Sequence, residues 1–176
     1  PLSYTSTEIT NSSISFNVSA DRLGRIEELA INGNLEKEYS KNLFNPTEAE
    51  LTVGFLAMSG SIDYTRTNRL FTKGFIKVSP NTTYSFQFQS GETNKTVEAY
   101  AIAYQSNKTT ITSGLPTAAW YTSSFTFTTG ANDEYIRFSY RFSDNSDITP
   151  SGVINQQLEE NSTPSSYEEY HSPYLI

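Results

Sequence analysis

The chain has 176 residues, no cysteine, a single tryptophan and a formal charge of −7 at neutral pH. Its length suits one main domain able to bury a proper core. The acidic balance repels a phosphate backbone and so argues against nucleic acid as a partner. The missing cysteine removes disulfides, thiolate metal sites and a thiol nucleophile together.

Residues 1–40 read as an N-terminal connector. Ile14-Ser15-Phe16-Asn17-Val18 alternates as a short strand does. Asp21 to Leu29 spaces Leu23, Ile26 and Leu29 for a turn or two of helix, with Asp21 as its N-cap. Ile31-Asn32-Gly33-Asn34 then signals a turn.

From residue 41 the texture is all-β. Leu51 to Ala57 predicts a strand and Met58-Ser59-Gly60-Ser61 a turn, followed by the short strand Phe75 to Val78 and a turn at Ser79-Pro80-Asn81. Tyr84, Phe86 and Phe88 alternate with Ser85, Gln87 and Gln89, and Tyr100, Ile102 and Tyr104 are opposed to alanines across Val97 to Gln105. Phe125-Thr126-Phe127 repeats the pattern before a turn at Thr129 to Asp133. Next comes the clearest strand of all, which places Ile136, Phe138, Tyr140 and Phe142 on one face and Tyr135, Arg137, Ser139 and Arg141 on the other. Ile154, Gln156 and Leu158 mark the last candidate. Short strands separated by turn signals predict a sandwich or barrel. The tail from Asn161 carries prolines and three tyrosines, Tyr167, Tyr170 and Tyr174, and is expected to lie extended on the domain surface with its rings docked.

No apolar run approaches the ~20 residues that a membrane span requires, so a soluble chain with no membrane partner is expected. The absence of disulfides leans toward a bacterial or viral source, and the start at Pro1, without initiator methionine or signal pattern, reads as a processed piece. Asn-x-Ser/Thr triplets at Asn11, Asn17, Asn81, Asn94, Asn107 and Asn161 have the form of glycosylation acceptors. A chain rich in Asn, Ser and Thr generates such triplets by chance.

Catalysis has little to stand on. A glycosidase needs two carboxyls facing each other across a sugar, but Glu159 and Glu160 are adjacent on a strand and point to opposite faces. His171, the only histidine, has no visible Ser-His-Asp arrangement around it, so no enzyme is expected. Asp144-Asn145-Ser146-Asp147 is rich in oxygen but lacks the spaced pattern of a strong calcium motif, and its residues are ordinary turn formers. No metal or other cofactor is expected.

The binding candidates are better. Trp120 and Tyr121 follow a loop-like stretch, where an indole either stacks on the C–H face of a sugar or folds back as a plug on the sandwich. Asp63 to Arg69 gathers Tyr64, Arg66 and Arg69, types that bind polyols or phosphate-bearing glycans, or else make a solvated loop with local ion pairs. On the last long strand, Arg137 and Arg141 offer planar forks of donors beside tyrosine and serine.

Four motifs in order resemble a known family: NLFNP (Asn42 to Pro46), GFIKVSPNTTYSF (Gly74 to Phe86), FTFTTGANDEYIRFSY (Phe125 to Tyr140) and NQQLEENSTPSSYEEY (Asn155 to Tyr170). The chain is similar, over residues 41–172, to carbohydrate-binding-type jelly-roll modules of phage tail and baseplate proteins, a group that includes accessory baseplate proteins of lactococcal phages. Asn161 and Glu169 stand where that family has glycine and proline. Residues 25–44 resemble the linker that introduces such modules. The resemblance implies a jelly-roll-like antiparallel β-sandwich over residues 41–176, displayed on a virion at the tail tip. Its implied partners are host cell-wall polysaccharide, often phosphate-bearing in Gram-positive hosts, and other baseplate or tail proteins. If the strands pair as the family does, Gln87, Gln89, Arg137, Arg141, Asn155 and Gln157 project together from the side opposite the core. The rival reading is a structural baseplate module that touches no sugar.

Overall fold

The computed structural model describes residues 15–20, 26–32, 37–38, 40–115, 119–172 and 174–175. The chain divides into two compact units, residues 1–39 with 173–176, and residues 40–172. In the first, β1 (Ser15–Ala20) pairs antiparallel with β2 (Ile26–Asn32), from Ser15 opposite Asn32 to Ala20 opposite Ile26. Ile26 to Leu29, expected as helix, is therefore strand. A spacing of three apolar residues cannot offset the cost of nucleating one or two helical turns when a partner strand supplies a ladder of backbone hydrogen bonds. Residues 21–25, which complete the helix expectation, and the Gly33-Asn34 turn lie outside the described residues. The two-residue strand β3 (Lys37–Glu38) follows.

The second unit is an antiparallel β-sandwich. One helical turn, α1 (Pro46–Ala49), begins at Asn45, whose Oδ1 accepts from the Thr47 and Glu48 amides. The strands are then β4 (Leu51–Val53), β5 (Phe55–Leu56), β6 (Ile62–Asp63), β7 (Leu70–Thr72), β8 (Ile76–Lys77), β9 (Thr83–Ser90), β10 (Val97–Tyr104), β11 (Ile111–Leu115), β12 (Tyr121–Thr122), β13 (Ser124–Thr128), β14 (Tyr135–Phe142) and β15 (Val153–Glu159). The large sheet runs β11-β10-β14-β7-β4, with β12 also on β10 and β8 on β14. The small sheet runs β13-β9-β15. In chain order the strands cross repeatedly between the sheets: β9 lies in the small one, β10 to β12 in the large one, β13 in the small, β14 in the large and β15 in the small. The expected strand over Leu51 to Ala57 is split at Gly54, whose φ of +142° suits glycine and where a Cβ would lie 2.9 Å from the Phe71 ring.

Aromatic alternation builds the core between the sheets. Tyr84, Phe86 and Phe88 of β9 and Phe125 and Phe127 of β13 meet Ile136, Phe138, Tyr140 and Phe142 of β14 and Val97, Ala99, Ala101 and Ala103 of β10. Phe86 stacks on Phe138 at 3.8 Å. The other face of the large sheet is covered as well. Tyr100, Ile102 and Tyr104 of β10 join Leu56, Phe71 and flanking rings in a second apolar cluster under the β5–β6 hairpin. The central strands β10 and β14 are thus enclosed on both sides.

β15 departs from simple alternation through a bulge between Ile154 and Gln157, which leaves Ile154 at the surface while Leu158 is buried. The segment after β15 crosses the outer face of the small sheet. Gln87 donates to the Ser165 carbonyl, Gln157 to the Ser166 carbonyl, and Asn42 to the Glu168 carbonyl. The expected surface path is observed over residues 161–172, while 173–176 belong to the first unit, and Tyr167 remains 44% exposed rather than docked. Finally, β16 (Tyr174–Leu175) pairs with β3. No helix among the described residues is long and apolar enough to cross a membrane.

Candidate functional site

Antiparallel register decides which polar side chains can act together. On the outer face of the large sheet, Glu98 lies opposite Arg141, Tyr100 opposite Ser139, and Ile102 opposite Arg137. Gln87 and Gln157 face each other across the small sheet instead. The six residues expected to share one surface therefore sit on opposite sides of the sandwich.

Arg137 is a core residue, not a surface donor. It is 5% exposed, its Nε donates to the Thr72 carbonyl at 2.8 Å, and its guanidinium lies 5.2 Å from the Phe71 ring centre and 4.9 Å from that of Phe75. Strand alternation gave its side correctly, but that side carries its own apolar cover. Gln157 is also fully buried, its amide oxygen accepting from the Glu168 backbone, and the Gln87 amide is engaged by the same crossing segment. Tyr121 packs against Phe125 at the core margin, 5.1 Å between ring centres.

Trp120, Arg69 and Arg141, far apart in sequence, do converge. Trp120 is half-buried and meets the Tyr100 ring edge to face at 4.5 Å. The Arg141 guanidinium stands 4.4 Å from the centre of the indole and that of Arg69 stands 5.6 Å away. Arg141 Nε donates to Glu98 Oε2 at 2.6 Å, fixing the first fork across the β10–β14 ladder. The second is held by the loops: Arg69 Nη1 donates to the Asn68 carbonyl and Nη2 to Asn145 Oδ1. Burial depresses the Arg69 pKa, and the positive charges of Arg141 and Arg66 push the same way.

Tyr64 and Arg66 stand at the margin. Tyr64 is 63% exposed with its ring against Phe71 at 5.9 Å, while Arg66 pairs with Asp63 at 3.3 Å. Hydrogen bonds from the Thr65 hydroxyl and amide hold the Asp63 carboxyl below its usual range. Two guanidiniums, those of Arg69 and Arg141, therefore gather at one indole, with the Glu98 carboxylate holding the second of them. The sequence had flagged the tryptophan and arginines separately, but Glu98, Tyr100 and Asn145 were missed as their supports. Cross-strand register brings in Glu98 and Tyr100, and loop packing brings in Asn145.

The Asp144–Asp147 loop serves as a turn. Asp144 Oδ1 accepts from the Ser146 amide and hydroxyl, and Oδ2 from Lys95. Asp147 accepts from Thr67. The Lys95 and Ser146 bonds hold the Asp144 carboxyl far below its ordinary range. Glu159 accepts from the Ser165 amide and hydroxyl, whose bonds outweigh the opposing effect of burial and keep its carboxyl low. These carboxylates are occupied by turns and straps. Among the described residues no three His, Cys, Asp or Glu side chains cluster as metal ligands would. No family model and no curated protein matches this chain.

Proposed function

We propose that the chain is a non-catalytic adhesion module of a phage baseplate or tail tip, holding saccharides of a Gram-positive cell wall. The observation that supports this reading best is the half-buried Trp120 with Arg69 and Arg141 against it, on a sheet face whose rigidity lowers the entropy cost of holding a flexible sugar. Guanidinium edges donate to hydroxyls or phosphate oxygens, and the indole contributes apolar surface. The excess of arginine over carboxylate makes this a locally cationic spot on an acidic chain. A phosphate-bearing glycan would be accepted there. Single-site contact of this kind is weak, and many copies on one virion would convert it into useful avidity.

The test is binding of purified protein to wall polysaccharide fractions and to whole host cells, with Trp120→Ala and Arg69→Ala compared with wild type. Each variant should weaken binding by about tenfold, roughly 1.4 kcal/mol, without moving the melting temperature by more than a few degrees. Absence of binding to every wall fraction at millimolar sensitivity, alongside capture of tail proteins from a phage lysate, would transfer the case to a structural baseplate module.

A further inference from the structure

The outer face of the small sheet carries a second feature. Three clefts lie in succession and share lining residues, and together they trace one groove. Asn155 and Tyr167 line both the first and the second, and Phe88, Gln89 and Ser123 line both the second and the third. The groove starts beside Tyr170 and Glu169, passes Tyr167, crosses β15, β9 and β13 at Asn155, Gln89 and Ser124, and ends at Lys95 and Thr96. It runs across the strands rather than along an edge, so a peptide adding as a further strand does not fit it.

The lining is specific in kind. At its middle stand the amide of Gln87, whose Nε2 already donates to the Ser165 carbonyl, and those of Gln89 and Asn155, bonded to each other, with the hydroxyls of Ser123 and Ser124; amides and hydroxyls each both donate and accept, as sugar hydroxyls do. Tyr167 supplies a 44% exposed ring at the junction of two clefts. The two charges sit at opposite ends, Glu169 at one and Lys95 at the other, with Lys95 already bonded to Asp144. Two non-glycine residues on the groove hold left-handed backbone, Asn155 at φ 52° and Ser123 at φ 61°. Asn155 reaches this conformation inside the β15 bulge, and its Nδ2 donates to Gln89 Oε1 at 2.8 Å, so the bulge aims an amide across the groove.

We propose that this groove binds a linear, uncharged saccharide chain, with the Tyr167 ring as stacking platform and the Gln87, Gln89 and Asn155 amides as hydroxyl partners. It rests on the saccharide-adhesion reading but uses none of the residues around Trp120, and the two sites lie on opposite faces of the sandwich. The groove recognises chain length, whereas the arginine-bearing site recognises a local group.

The full chain is titrated with malto-, cello- and chito-oligosaccharides from mono- to hexasaccharide, following side-chain amide signals by NMR. Affinity in at least one series should rise with length, with the Gln87, Gln89 and Asn155 signals moving together. Tyr167→Ala should weaken the hexasaccharide by about tenfold, roughly 1.4 kcal/mol. Tyr167→Phe should stay within about twofold, because the ring face is kept. Trp120→Ala should leave this titration unchanged. Motionless amide signals in all three series overturn the groove, as does a silent Tyr167→Ala beside a length-dependent wild type. Either result leaves wall binding through Trp120 standing, whereas loss of wall binding with this titration intact removes the Trp120 site and keeps the groove.

Discussion

Arg137 is the residue on which the outer cluster closes. Its stem and guanidinium fill the space between Phe71 and Phe75, and its Nε satisfies the Thr72 carbonyl, so the charge lies flat between rings. Arg137→Ala opens a cavity and strands that carbonyl, and should cost about 2–4 kcal/mol in urea unfolding. Arg137→Met keeps most of the volume and should cost about half as much. Arg69→Ala, at a half-buried position held by loop oxygens, should by contrast change stability by under about 1 kcal/mol. Arg137 and Arg141 look alike in sequence, four residues apart on one strand face. They differ because the cover made by Phe55, Leu56, Phe71 and Phe75 reaches the first and ends before the second. A period of two names the face of a strand but says nothing of what lies across it.

At the level of elements, the strap from Asn161 to Glu168 is held by hydrogen bonds more than by apolar burial. Glu159 accepts twice from Ser165, and because its carboxyl is held below the ordinary range, the bond contributes stability that is present above the unfolded pKa, near 4.5. That contribution is lost as pH falls through the lower, folded value. Hydrogen exchange at Ser165 and neighbouring amides should therefore accelerate as the pH drops below about 4, once corrected for the intrinsic pH dependence of exchange. Glu159→Gln should raise protection losses there already at neutral pH, while β10 and β14 amides stay protected. Strand existence was legible from Tyr84-x-Phe86-x-Phe88 and from Ile136 to Phe142, because those patterns express local alternation. The bulge in β15 and the route of the strap were not, since both depend on pairing between residues distant in the chain, such as Asn42 with Glu168 and Gln87 with Ser165. Convergence of Trp120 with Arg69 and Arg141 was hidden for the same reason.

Across the whole sandwich, buried phenols make alkaline pH the vulnerable side. Burial raises the Tyr100 pKa to about 12, and raises those of Tyr104 and Tyr140 in the same direction. A raised pKa means stability that is complete below the unfolded value near 10 and drains away as pH climbs through the folded one. The melting temperature should hold level to about pH 10 and then fall steeply, Tyr100 alone accounting for on the order of 2 kcal/mol by pH 12. Tyr100→Phe, though it removes the bond to the Leu56 carbonyl and so lowers the starting stability, should shallow that descent.

The alanines of β10 have a consequence for how this interior can change over time. Ala99, Ala101 and Ala103 form a lean strip, and the bulk opposite comes from phenylalanine and tyrosine rings. Enlarging the strip alone has no vacancy to enter, and trimming a ring alone leaves a void. A methyl exchanged for something larger on one wall, together with a ring cut down on the other, conserves volume. Tolerated substitutions in this core should therefore arrive as compensating pairs, one from each sheet.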